Sequence, residues 1–362
     1  MIQYCMKKFK DIETPVFFPD ATRAVLRTLD SKDIENTKTN GILVNTYHLY
    51  NEVGKRILKK HRGVKQFMNF SGGMISDSGG FQVMSLIKKS GMGKIIDEGA
   101  VFYPSRKKKI VFTPEKSIQF QFEIMPDMMV VLDDFTAADD TYEKAKETVE
   151  RTIDWAKRSK REFEKQIKKR EISTKDRPYL LAVVQGGKYQ DLREYCAKEL
   201  AEVGFDGFGY GGWPIDEQGN FDYESARTIA DNTPDNYFLY GLGIGKPEEI
   251  VGMAKLGYNI FDCVLPTRDA RHGRLYIYNA DSIDKIDITS ENFYSFYVPN
   301  KQKYAADTSK ISEACDCLLC SSYSRSYLAH LFRIKDMSAM RLATIHNLRF
   351  YSILMEKIRE SL

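Results

Sequence analysis

The chain has 362 residues, 43% of them hydrophobic, enough for a large buried core and for one large domain with at most a small appendage. Its 54 basic and 50 acidic residues leave a formal charge of +4, which excludes both a purely charge-driven nucleic-acid binder and a disordered acidic or basic tail. A nucleic-acid partner is allowed by composition but not indicated by it, and the basic clumps Arg106 to Lys109 and Lys157 to Arg170 read as solvated faces.

Met1 to Lys8 shows no apolar run of the secretory kind, and no stretch of about 18 apolar residues follows, so a cytoplasmic protein without a membrane span is expected. Short apolar runs with β-rich character then recur in order. They are Pro15 to Phe18, Gly41 to Val44, Gly73 to Ser76, Met128 to Leu132, Tyr179 to Val184, Gly207 to Tyr210, Tyr237 to Tyr240 and Ile260 to Val264. Helical patterns lie between several of them. Thr141 to Lys169 sets Ala145, Val149, Ile153 and Ala156 on one face, and Gln190 to Val203 and Pro247 to Leu256 follow later runs. Nearly continuous apolar strands alternating with helices predict a parallel sheet covered by helices, and eight such units fit a (β/α)8 barrel. A doubly wound open sheet is the competing architecture, but the glycine-rich phosphate turn expected after an early strand is missing.

Asn45, Asp77, Asp133, Gln185, Gly211, Gly212, Gly243 and Asp262 all fall at or near the ends of these runs. In a barrel those ends converge on one face, where active sites are built. After Arg274 the pattern changes: 275–314 is polar and irregular, and a last helix is expected from Met337 to Ile358. The expected division is a barrel over 1–274 and a metal-binding subdomain with a terminal helix over 275–362.

Six cysteines are too few for a disulfide framework, and three crowd into Cys315-Asp316-Cys317-Leu318-Leu319-Cys320. With His346 they complete a three-thiolate, one-imidazole set that closes a tetrahedral zinc shell with no open position, the pattern of a structural site. His48, His61, His272 and His330 have no comparable spacing.

Asp77 stands in Ser76-Asp77-Ser78-Gly79-Gly80-Phe81-Gln82, and Asp262 in Phe261-Asp262-Cys263-Val264-Leu265-Pro266-Thr267-Arg268. Two carboxylates facing one another across a barrel mouth suit displacement at a sugar carbon, one as nucleophile and one as proton shuttle, although paired aspartates also bind metals. These two motifs, Val184-Gln185-Gly186-Gly187 and the spacing of three cysteines and a histidine resemble the tRNA-guanine transglycosylases, also called queuine tRNA-ribosyltransferases, in order from about Thr14 to Tyr351.

The resemblance implies a pentosyltransferase that exchanges guanine at the wobble position of GUN anticodons for a queuosine-pathway base. It makes Asp262 the nucleophile of a covalent ribosyl-aspartate and Asp77 the general acid/base, supported by Asn45. Asp133 and Gln185 would read the base's edge, Gly211, Gly212 and Gly243 wall the base pocket, and Phe81 stack on the base. Arg268 and Arg271 would hold the anticodon. One structural zinc per subunit, free guanine, preQ1 or queuine as substrates, and a homodimer around the metal region near Tyr323, Tyr327 and His330 are implied likewise.

The sequence departs from the family pattern where Asp134-Phe135 replaces the usual Glu-Cys and Trp213-Pro214-Ile215 the usual Leu-Ala-Val. These substitutions flank the incoming base's side chain and leave the choice between preQ1 and queuine open. The stretch from Phe102 to Val111 is about two residues short, and the C-terminal tail is brief. The rival readings are a barrel N-glycosyl hydrolase and a non-catalytic tRNA-binding partner subunit; retention of both Asp77 and Asp262 speaks against the second.

Overall fold

The computed structural model describes residues 7–80, 85, 87, 93–105, 108–216 and 218–361. Eight parallel strands form the centre: β1 (Val16–Pro19), β2 (Gly41–Asn45), β3 (Gly73–Asp77), β4 (Met128–Val130), β5 (Tyr179–Val184), β6 (Gly207–Tyr210), β7 (Phe238–Gly241) and β8 (Ile260–Cys263). Each pairs with its neighbours in chain order, and β8 pairs with β1 with Asp262 opposite Phe18. Between β1 and β2 the closure is a single parallel bridge, Asp20 to Leu43, backed by the Ala21 N–H donating to the Leu43 carbonyl at 2.7 Å. The fold is the expected (β/α)8 barrel, and all eight expected strands are present within a few residues of their sequence limits.

Side-chain alternation divides the core. Val16, Phe18, Leu43, Ile75, Val130, Leu181, Val183, Tyr240 and Ile260 pack inside the barrel. Phe17, Met129, Leu180, Ala182, Phe208 and Phe261 face outward, against the helices. A two-residue period on every strand therefore fills two cores at once.

The helix Tyr142–Lys169 starts one residue after its expected onset, because Thr141 is the cap and accepts from the Lys144 N–H. Gln190–Val203 matches expectation, and Pro247–Ala254 ends two residues early. The helix Pro114–Ile124 begins with proline in its first turn and Thr113 as cap.

Two features differ from the sequence reading. The region 275–314 is not wholly irregular: Leu275–Tyr278 pairs antiparallel with Tyr294–Tyr297. Before the helix Pro114–Ile124, three antiparallel strands (Gly93–Ile96, Gly99–Ser105 and Lys108–Phe112) form a small separate sheet. That sheet is tied to the long helix by the Trp155 indole N–H and the Arg158 guanidinium, which donate to the Asp97 carbonyl at 2.7 and 2.8 Å.

The terminal helix runs from Met337 to Ser361, three residues beyond its expected end, and completes the outer ring. It lays Tyr351 on Phe17 of β1 (ring centroids 4.6 Å apart) and donates the Tyr351 hydroxyl to the Gly245 carbonyl at 2.5 Å. Among the described residues, no helix is long and apolar enough to cross a membrane.

Candidate active site and metal centre

The inward period that fills the barrel core turns polar where the strands end. Asn45 and Asp77 are register partners on β2 and β3. Asn45 caps the helix Thr46–Glu52, its side-chain oxygen accepting from the His48 N–H at 3.0 Å. The cap fixes which way the amide faces, so its Nδ2 donates to Asp77 Oδ2 at 2.8 Å. Gly79 follows in the left-handed region (φ 84°), and a Cβ there would lie 2.8 Å from that of Tyr47, so only glycine lets the loop turn away from Asp77. Burial raises the Asp77 carboxyl above its ordinary value, against the Gly79 N–H and Asn45 amide, which lower it.

Asp262 lies across the mouth on β8, only 6% exposed. Its Oδ1 accepts two hydrogen bonds, from the Tyr240 hydroxyl at 2.8 Å and the Gly243 N–H at 2.9 Å. Gly243 has a positive φ of 70°, which aims that N–H at the carboxylate. Burial pushes the Asp262 carboxyl up to about 7, the two donors oppose the shift, and the nearby charges of Asp20 and Asp77 add to it.

The third group is Asp133 with Gln185. Gln185 Oε1 accepts from the Thr136 N–H at 3.1 Å, which leaves its Nε2 to donate to Asp133 Oδ2 at 2.6 Å. Burial pushes Asp133 up to about 7, despite the Gln185 bond, with Asp77 and Asp134 raising it further. A Cβ at Gly211 would stand 2.7 Å from Gln185 Nε2 and 2.6 Å from the Val184 carbonyl, so this wall closes only with glycine. Gly212 continues at φ 89°.

The Arg193 guanidinium is wholly buried beneath this wall. It donates to the carbonyls of Gly187 at 2.7 Å and Gly211 at 3.1 Å and stacks on Tyr210 at 4.7 Å. Trp213, just beyond, is 55% exposed. Asp134 is buried and paired with Arg151 at 2.6 Å.

Arg268 and Arg271 sit on the helix Leu265–Arg271 that follows β8 directly. Burial, and then the like charges of Arg27 and Arg268, hold Arg271 below the usual guanidinium value. Such a concentration of positive charge suits a polyanion. The structure thus gathers Asn45, Asp77, Asp133, Gln185, Gly211, Gly212, Gly243 and Asp262 at the strand ends, with Arg268 and Arg271 on the helix after β8. Phe81 lies outside the described residues. Tyr240, Arg193, Arg27 and Asp20 escape the sequence reading; inward alternation along β1 and β7 is the signal that points to Asp20 and Tyr240.

Cys315, Cys317, Cys320 and His346 converge elsewhere, all buried, with their ligand atoms within 4.8 Å of one another. His346 Nδ1 stands 3.2 Å from Cys320 Sγ and 3.6 Å from Cys317 Sγ, near the spacing of about 3.8 Å that a tetrahedral thiolate shell sets between ligand atoms. His346 Nε2 donates to the Tyr276 carbonyl at 2.7 Å, which leaves Nδ1 as the ligand atom, the usual arrangement for a metal-bound imidazole. The cluster fits a metal ion. Asp316 turns away from it to pair with Arg349 and Lys38.

A family profile described as "Queuine tRNA-ribosyltransferase" matches residues 4–362. The chain is 37% identical over 352 residues to a protein of Blochmanniella pennsylvanica, covering 97% of this chain and 89% of that protein. It is 38% identical to one of Caldanaerobacter subterraneus subsp. tengcongensis and 35% to one of Tolumonas auensis, covering 97% of this chain and 87% of each. All three relatives carry the name queuine tRNA-ribosyltransferase.

Proposed function

The chain belongs to the queuine tRNA-ribosyltransferase family, and on that premise we propose that this pentosyltransferase exchanges guanine at the wobble position of GUN-anticodon tRNA for preQ1 or queuine. The observation that carries the reading is the Asp262 carboxylate, held through Oδ1 alone by Tyr240 and Gly243. Among the described residues no hydrogen bond reaches Oδ2, which is therefore the oxygen that attacks C1′. The C1′–N9 bond breaks with its electron pair on the departing guanine, Asp77 supplies the proton that neutralises it, and the ribose stays on Asp262 as an ester. The incoming base then attacks C1′, returns a proton to Asp77 and releases Asp262. A covalent intermediate lets two bases use one pocket in turn without loss of the sugar to water.

Asp133 and Gln185 read the edge of the flipped base, with Gly211, Gly212 and Gly243 as backbone walls and Phe81 as stacking partner. Arg268 and Arg271 hold the anticodon phosphates. Zinc fills the Cys315, Cys317, Cys320 and His346 set, one ion per subunit, and stabilises the region 275–362 beside the barrel of 1–274 without entering the chemistry. The exposed, stacked pair Tyr323 and Tyr327 (centroids 5.2 Å apart), with His330 beside it, belongs to a homodimer interface in which one subunit catalyses and its partner orients the tRNA. The work is cytoplasmic.

Mass spectrometry of a GUN-anticodon tRNA incubated separately with guanine, preQ1 and queuine tests the reaction and identifies the base. A mass shift is expected at the wobble nucleotide alone. Asp262→Asn should bind tRNA and exchange nothing; persistent exchange in that variant would refute the nucleophile assignment.

A further inference from the structure

A further carboxylate, Asp20, stands at the mouth between the two catalytic ones. β1 ends at Pro19, and the next residue, Asp20, still makes the bridge to Leu43 that closes the barrel. Val16 and Phe18 pack inside the barrel, while Phe17 faces the outer layer. The two-residue period therefore makes Asp20 the next inward position of β1. On one side of β1 lies β8, with Asp262 opposite Phe18; on the other lies β2, whose Asn45 shares a rung with Asp77 on β3.

Asp20 is fixed in place. Its Oδ1 accepts from the Thr22 N–H at 2.7 Å and the Thr22 hydroxyl at 2.6 Å, and among the described residues no donor reaches its Oδ2. The Asp20 charge acts on Asp77, Asp262 and Arg271. A negative charge beside two further carboxylates is costly unless a donor comes to meet it.

The substrate supplies one. In the reaction proposed above, the base of the reacting nucleotide would lie toward Asp133 and Gln185 and its phosphate toward Arg268 and Arg271, so its sugar would span the interval where Asp20 stands. Inside a polynucleotide the 3′ and 5′ oxygens are esterified, and the 2′-hydroxyl is the only donor that sugar retains. We propose that Asp20 Oδ2 accepts a hydrogen bond from the 2′-hydroxyl of the reacting nucleotide and makes the enzyme selective for ribose over deoxyribose at that position. The inference rests on the exchange reaction proposed above.

The test uses anticodon stem-loops with either guanosine or 2′-deoxyguanosine at the wobble position alone, and follows incorporation of labelled guanine by wild type, Asp20→Asn and Asp20→Val. The quantity read is the ribo-to-deoxy ratio of kcat/KM, compared between proteins because a deoxyribosyl centre is intrinsically the more reactive. The wild-type ratio should exceed that of Asp20→Val by roughly tenfold to a hundredfold, the range for a hydrogen bond to a charged group. The loss should fall mainly on the ribo substrate. Asp20→Asn, nearly isosteric, should lie between the two and guards against a Val variant that fails to fold. Equal ratios in all three proteins would overturn the proposal while leaving the exchange reaction standing. No exchange by wild type on the ribo stem-loop would instead remove the reaction itself, and the proposal with it.

Discussion

Asp262→Asn should stabilise the fold while abolishing exchange, by an amount that depends on pH. In the unfolded chain an aspartate titrates near 3.9, and in the fold burial pushes Asp262 up to about 7. Below about pH 4 both states hold the proton and the carboxyl contributes no difference. Between about pH 4 and about pH 7 the folded state keeps a proton that the unfolded state has released, so the stability of the wild type falls as pH rises. Above about pH 7 the full penalty is present, about 4 kcal/mol for a shift of this size.

Asparagine carries no charge, and its side-chain oxygen can still accept from Tyr240 and Gly243. Spread over the unfolding entropy of a chain this long, the relief corresponds to a rise in Tm of about 5 °C at pH 8. Differential scanning calorimetry of both proteins from pH 4.5 to pH 8 reads it directly. The gap should open with pH and close toward pH 4.5. A constant gap, or a variant less stable at pH 8, would show that the carboxylate is not held against its own solvation.

The same carboxylate predicts a kinetic effect. Tyr240→Phe removes a donor to the ionised form, so the acid limb of the kcat/KM profile should move from about pH 7 to higher pH by about one unit; an unmoved midpoint would mean that Asp262 does not set that limb. Gly211→Ala forces a methyl into the Gln185 amide and should raise KM for guanine at least about tenfold through the displaced Gln185–Asp133 pair. Wild-type KM in that variant would place the base elsewhere. Elemental analysis should find one zinc per chain, lost in Cys320→Ser together with thermal stability and tRNA affinity; a metal-free protein with unchanged melting would contradict a structural ion.

Most of the barrel was legible because parallel strands covered by helices leave unbroken apolar runs, and because the inward period carries polar residues only where the strands end. Asn45, Asp77, Gln185 and Asp262 follow that rule. Asp20 and Tyr240 obey it too, yet one stands just past a short strand and the other passes for a core aromatic; their place becomes visible only once β8 is seen to pair with β1. Arg193 lies in a helix with ordinary charged spacing, and nothing local reveals that its guanidinium is buried under Gly187 and Gly211. The strands Leu275–Tyr278 and Tyr294–Tyr297 are separated by a long connection rather than a tight turn, so no hairpin signal joins them. In the three-stranded sheet before Pro114 the strands Gly93–Ile96 and Gly99–Ser105 are joined by a tight turn, but its residues Asp97-Glu98 are not the Asn-Gly or Asp-Gly pair that marks a hairpin.

The helix Met337–Ser361 has a bearing on biosynthesis. Its Tyr351 lies on Phe17 of the first strand, His346 is a metal ligand, and Asn347 donates to the Pro266 and Arg274 carbonyls. The first strand thus awaits its cover until Tyr351 has left the ribosome. Until then the nascent chain presents an open, apolar barrel wall to solvent, and the ring closes only after the three cysteines have emerged. Ion capture and ring closure would then be a single late step, and a shortage of metal during translation would appear first as aggregation of new chains rather than as inactive folded enzyme.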